Sequence, residues 1–158
     1  MKMFLHTVSA LFAAAVLLMS GPAYADYAPQ KVVYHVNGYG EKVQIGALRN
    51  IQNHINAVGA DKLTVAVVMH GNGLSLLTLP EAVGLTKMKE GNASTDMQAR
   101  VDGLRNQGVR FLVCANTLKG RKVVPDDHLY RVSEGDIVPS GVAELSKLQL
   151  EGYTYVKP

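Results

Sequence analysis

Seven residues near the middle of the chain constrain its fold more than any others: Leu63 to Met69 (LTVAVVM) are apolar throughout except for Thr64. A strand with one wet face alternates apolar and polar side chains. A run that is apolar on both faces needs cover on both, which is the habit of a parallel sheet with helices above and below it. The flanking sequence agrees. Val32-Val33-Tyr34-His35-Val36 is a β-branched run closed by the turn residues Asn37-Gly38-Tyr39-Gly40, and reads as a first strand. From Glu41 the period turns helical: Leu48, Ile51, Ile55 and Val58 are spaced 3, 4 and 3 apart, with Gly59 where a helix ends.

Beyond Met69 the alternation continues. Ser94-Thr95, with Gln98 following, predict a helix N-terminus, and Met97, Val101 and Leu104 recur at helical spacing up to Gly108. Val109 to Cys114 (VRFLVC) reads as a third strand, and Asn116 onward as a short helix or turn. Asp136 to Val138 is a candidate fourth strand. Pro139-Ser140 open a last helix with Val142, Leu145 and Leu148 on its apolar side, ending at Gly152, and Tyr153 to Val156 make a terminal strand. Strands alternating with helices predict parallel βαβ units in one α/β domain. Tryptophan is absent and phenylalanine occurs three times, so the core must be Val, Leu, Ile and Ala. Residues 71–93 are long for a connection and carry Leu74, Leu76, Leu77, Leu79, Val83, Leu85 and Met88. Three readings stay open for them: an extra helical turn on the domain's own sheet, a subunit interface, or a lid over a pocket.

The N-terminus reads as a secretory signal spanning residues 1–25. Lys2 supplies a positive n-region, Leu11 to Met19 an uncharged apolar core, and Ala23-Tyr24-Ala25 the small residues a signal peptidase requires. The core falls short of the roughly 20 apolar residues of a bilayer span, and Gly21-Pro22 break it, so cleavage at Ala25/Asp26 is expected rather than a permanent membrane anchor. The expected product is periplasmic or secreted: one domain over residues 26–158, within the commonest size range for a domain. Losing Lys2 lowers the formal net charge of +3 by one, and both signs are interspersed along the chain. No basic stripe is interleaved with aromatics, so no nucleic-acid partner is expected.

In an open parallel sheet the ligand crevice lies outside the carboxyl ends of the strands. That rule selects His35 and Asn37 from the first strand, His70 and Asn72 from the second, and Cys114 and Asn116 from the third. Cys114 is the candidate nucleophile, because a helix N-terminus and the cations Lys119, Arg121 and Lys122 would both favour its thiolate. The competing reading is a buried Cys acting as a small hydrophobe. As the sole cysteine it can form no internal disulfide, and an unpaired thiol in an exported protein is either shielded or reactive. His70, followed by Gly71, is a weaker candidate for a base; Asn37, Asn72 and Asn116 are candidate cleft residues. His35, His70, Cys114 and His128 are acceptable zinc ligands, but no short ligand spacing unites them and no metal is expected. His54 is expected on a helix flank, without chemistry. Gly38-Tyr39-Gly40 lacks the third glycine of a dinucleotide fingerprint, since Val43 stands there, and no phosphate-cradling loop, nucleophile elbow or Cys-x-x-Cys is present. No cofactor is expected.

Phe111-Leu112-Val113-Cys114 followed by Ala115-Asn116-Thr117-Leu118, then Val138-Pro139-Ser140-Gly141-Val142-Ala143-Glu144-Leu145 and the closing Leu148-Gln149-x-Glu151-Gly152-Tyr153-x-Tyr155-Val156-Lys157-Pro158, resemble the DsrE/DsrF-like proteins, above all their exported branch. The resemblance spans the chain from Lys31. It implies a three-layer α/β/α sandwich with a mostly parallel five-stranded sheet, assembled as trimers or hexamers. It further implies that Cys114 carries sulfur as a persulfide, as cytoplasmic members do in sulfur oxidation or transfer-RNA thiolation. The departure is export, which parts this chain from those relay partners and leaves its sulfur donor or acceptor unidentified. Two functions follow as expectations: sulfane-sulfur handling through Cys114, or a non-catalytic oligomeric module that binds a small ligand or partner while Cys114 only packs.

Overall fold

The computed structural model describes residues 27–158. The leader expected over residues 1–25 lies outside them, and among the described residues no helix is long and apolar enough to cross a membrane. Five strands, β1 (Gln30–Val36), β2 (Leu63–Met69), β3 (Arg110–Cys114), β4 (Ile137–Val138) and β5 (Thr154–Val156), form one sheet in the order β4-β3-β2-β1-β5. Every pairing is parallel. The chain steps outward from β1 to β4, and β5 then returns to the far side of β1.

The period of two in a strand sorts the core into two layers. Val32, Tyr34, Val36, Val65, Val67, Met69, Phe111 and Val113 face α1 (Glu41–Val58) and α2 (Thr95–Arg105). Val33, Ala66, Val68 and Leu112 face the other way, onto Leu145 and Leu148 of α5 (Gly141–Leu150). Two short helices, α3 (Ala115–Arg121) and α4 (Pro125–His128), link β3 to the β4 edge. The architecture is therefore the expected α/β/α sandwich, with β2 at its centre and only Thr64 of that strand exposed. Each fully buried Val or Leu contributes about 1.5–3 kcal/mol, so the double-faced strand is a major source of stability.

Local signals set the helix ends. Gly59 takes φ 99° and its N–H reaches the carbonyl of Ile55 at 2.8 Å, closing α1 in a conformation that glycine adopts freely. Ser94 is the cap of α2, accepting from the Met97 N–H; the Gln98 side chain turns instead to the Ala93 carbonyl, so no reciprocal capping box forms. Residues 71–93 resolve one of the three readings. Two short 3-10 turns, Gly71–Leu76 and Pro80–Ala82, lay Leu74, Leu76, Leu77 and Met88 into the α1/α2 core. The segment packs on its own domain, and only Val83 and Leu85 among its large apolar residues stay exposed.

Candidate functional site

Strand parity places four reactive side chains on one face. Cys114 shares a face with Leu112, His70 with Val68, His35 with Val33, and Tyr155 is the register partner of Val33; this is the face that α5 covers. The neighbours β3, β2, β1 and β5 thus present Cys114, His70, His35 and Tyr155 in a row at their carboxyl ends. Tyr155 Oη lies 2.7 Å from His35 Nδ1, and His35 Nε2 lies 2.7 Å from His70 Nε2. Gly141, the first residue of α5, closes the row. A Cβ placed there would stand 3.0 Å from Cβ of His70 and 3.3 Å from Cβ of Cys114, so glycine lets the helix terminus wedge between them without displacing either.

The environment of the sulfur is made of hydrogen-bond donors. Burial pushes the Cys114 thiol up, but hydrogen bonds from the Gly141 N–H, the Thr117 hydroxyl and the N–H groups of Thr117 and Asn116 outweigh burial and hold it below its ordinary value of 9.0. Thr117 works in both directions, since its Oγ1 also accepts the Gly71 N–H at 2.9 Å and ties the end of β2 to α3. The cations expected to steady this thiolate are not among the groups that shift it. Arg121 donates to Asn72 Oδ1 at 2.7 Å and to the Lys87 carbonyl, and Lys119 and Lys122 are exposed.

The two histidines are held neutral. Burial lowers His35, and the neighbouring His70 and Lys157 charges lower it further; burial and Lys157 lower His70. One Nε2 must therefore donate and the other accept. Asn37 lines a cavity beside His35, Asn116 contributes its backbone N–H to the sulfur, and Asn72 serves Arg121, so the three asparagines do not converge. His128 lies apart, accepting the Val124 N–H, and among the described residues no group of three or more His, Cys, Asp or Glu side chains is placed to hold a metal. His54 bridges Tyr34 Oη and Gln30 Oε1, a structural role.

Sequence reasoning missed Tyr155, Thr117, Gly141 and Gln44. Gln44 is 1% exposed; its Nε2 donates to the Gly38 carbonyl and Ser75 Oγ while its Oε1 accepts from Asn92, pinning the loop after β1. The signal for Gly141 lay in the Ser140-Gly141 pair at a helix start. Tyr155 had no local signal, since only the return of β5 brings it to β1.

Comparison with known proteins fits this geometry. Residues 31–158 match the model of the DsrE/DsrF-like family. None of the curated proteins compared matches the chain. MTH1491 of Methanobacterium thermoautotrophicum, described as a protein of unknown function, has a similar structure at 28% identity and a TM-score of 0.64, over 82% of this chain and 99% of that one. The YchN protein of E. coli shares the fold at 19% identity and a TM-score of 0.57, over 82% and 99% of the two chains. With a match over most of its length and the parallel five-stranded sandwich in place, the chain belongs to the DsrE/DsrF-like family.

Proposed function

We propose that this protein accepts and passes on sulfane sulfur as a persulfide on Cys114, working after export to the periplasm or beyond and as a trimer or hexamer. Family membership suggests a sulfur-related role. The observation that carries the finer reading is the set of donors from Gly141, Thr117 and Asn116 trained on the Cys114 sulfur. Such donors favour thiolate, the nucleophilic form. In the step they serve, the Cys114 thiolate attacks the outer sulfur of a donor R–S–SH. The donor's S–S bond breaks as the new one forms, and the electron pair leaves on the donor thiolate, giving Cys114–S–SH and RS⁻ with no external oxidant.

Incubation with polysulfide or thiosulfate followed by intact-mass measurement should add sulfur to the wild-type chain and none to Cys114→Ser. An unmodified Cys114 that also resists alkylation in the folded protein would overturn the proposal. It would favour instead the binding-module reading, whose support is that Cys114 is only 5% exposed.

A further inference from the structure

Tyr155, His35 and His70 form a continuous hydrogen-bonded path whose two ends differ. Tyr155 Oη meets His35 Nδ1, and His35 Nε2 meets His70 Nε2, each at 2.7 Å. At one end Tyr155 is 40% exposed and open to water. At the other, His70 Nδ1 has no hydrogen-bond partner among the described residues. A neutral imidazole carries one N–H, so the protons of the path have two arrangements. In the first, Tyr155 donates to His35 Nδ1, His35 Nε2 donates to His70 Nε2, and His70 carries its proton on Nδ1. In the second, His70 Nε2 donates to His35 Nε2, His35 Nδ1 donates to Tyr155, and His70 Nδ1 is bare. Passing from the first to the second releases one proton at His70 Nδ1 and takes one up from water at Tyr155, with every member neutral before and after. Burial and Lys157, which keep a second proton off the histidine pair, suit such a neutral shift.

The free end of the path stands beside the sulfur. His70 and Cys114 directly follow the register partners Met69 and Val113, and the residue lying between them, Gly141, brings no side chain of its own. The groups that hold the thiol low are Gly141, Thr117 and Asn116, so His70 is not needed to make the thiolate. Its place suits the other sulfur of the reaction. In an in-line displacement the leaving sulfur lies two S–S lengths from the attacking one, about 4 Å, close to the spacing of about 4.8 Å between neighbouring strands. On the β4 side Cys114 meets Val138, buried and apolar; on the β2 side it meets His70. A leaving thiolate that needs a proton is served only on the second.

We propose that His70 is the acid–base residue of sulfur transfer, protonating the leaving thiolate of a small persulfide donor and later deprotonating the accepting thiol, with His35 and Tyr155 as positioning residues that connect it to water. This rests on the reading of Cys114 as a sulfur acceptor. In loading, the Cys114 thiolate bonds to the outer sulfur of R–S–SH, the donor's S–S bond breaks, and its electron pair takes the proton of His70 Nδ1, giving Cys114–S–SH and R–SH and leaving the path in its second arrangement. In unloading, a thiol R′–SH gives its proton to His70 Nδ1 as its sulfur bonds to the outer sulfur of Cys114–S–SH. The electron pair of the broken bond returns to the Cys114 thiolate, R′–S–SH departs, and a proton leaves at Tyr155. The cycle consumes no net proton or electron.

The test compares an alkyl with an aryl persulfide in single turnovers of the full-length protein, following sulfur on Cys114 by quenched intact-mass measurement. An aryl thiolate departs readily unprotonated, whereas an alkyl thiolate leaves better with an acid. His70→Gln should therefore lower the ratio of alkyl to aryl rates about 100-fold, a usual worth of general acid catalysis. The aryl rate also reports whether the variant is folded and its cysteine reactive. In mixtures of light and heavy water the wild-type alkyl rate should curve with deuterium fraction, as more than one proton moves, and Tyr155→Phe should straighten the curve. Equal losses on both donors in His70→Gln, or an unchanged ratio, would remove the acid–base role while leaving Cys114 an acceptor; a straight wild-type plot would remove the path. If neither donor loads wild-type Cys114, the acceptor reading and this role fall together.

Discussion

Nε2 of His35 and Nε2 of His70 lie 2.7 Å apart, their rings nearly parallel at 25° with centroids 4.7 Å from each other. Two hydrogens do not fit in that gap. The pair therefore holds one proton between its facing nitrogens, and a second charge is resisted by burial and by Lys157.

The sign of the resulting pH dependence follows. Both histidines titrate below their ordinary 6.5 in the folded state, so the unfolded chain binds more protons between the folded and unfolded values. Their contribution to stability is complete above pH 6.5 and is lost as pH falls toward the folded values. Melting temperatures recorded from neutral to mildly acidic pH should fall for wild type and fall less for a His35→Gln, His70→Gln double variant. Parallel curves would show that other groups set the acid limit.

Cys114 titrates in the opposite part of the scale. With the folded thiol held below 9.0, stability rises with pH from the folded value up to 9.0, and Cys114→Ser should lack this rise. Thr117→Val removes the hydroxyl hydrogen bond to sulfur and leaves the Gly71 N–H without its acceptor. It should cost about 1 kcal/mol in denaturant unfolding and move the alkylation midpoint of Cys114 upward. An unmoved midpoint would show that the backbone donors alone set the thiol.

Two glycines should respond differently to alanine. At Gly141 the added methyl meets side-chain carbons of His70 and Cys114 at 3.0 and 3.3 Å, so α5 must shift, at about 1–2 kcal/mol, and its N–H leaves the sulfur. Alkylation of Cys114 should slow accordingly. Gly73→Ala drives its methyl into the Val36 carbonyl and the Asn37 backbone, neither of which can rotate away, and should prevent soluble expression. Circular dichroism melts of the two variants check the ranking.

Gln44 offers a stability test in the loop after β1. Gln44→Leu keeps the volume but strands the Gly38 carbonyl, Ser75 and Asn92, and should cost about 1–3 kcal/mol in urea unfolding. A neutral result would mean that water replaces the amide.

The proposed assembly has a direct measure. Light scattering should return three or six chain masses, and a strict monomer would exclude the trimer or hexamer. Val43, Val83, Leu85, Val124, Val142 and Leu150 are exposed aliphatic residues available to such contacts.

What the sequence disclosed and what it withheld divide by range. β2 and α1 were legible because their apolar spacing answers to the backbone period alone, and both begin where that pattern begins. The strand-end rule likewise singled out Cys114 and His70. It could not say which face they share, since parity gives the same face to His35, His70 and Cys114 only once the strands are in register. Cations five to eight residues past Cys114 looked close along the chain, yet Arg121 turns to Asn72 while Lys119 and Lys122 are exposed; Gly141, remote along the chain, touches Cys114 and His70, and Tyr155 reaches His35. Asn37, Asn72 and Asn116 were grouped by position after their strands, but Asn72 belongs to Arg121.

The bond between His35 and Tyr155 joins residues 120 positions apart. Closing so long a loop costs more entropy than closing any βα turn, though only logarithmically more, and contacts of such sequence separation form late in folding. β1 and β2 can pair early, while the tyrosine that completes the row arrives with the final strand. Protection of the Tyr155–His35 contact in a refolding time course would then trail that of the central sheet, making the row of site residues a clock for the end of folding rather than its beginning.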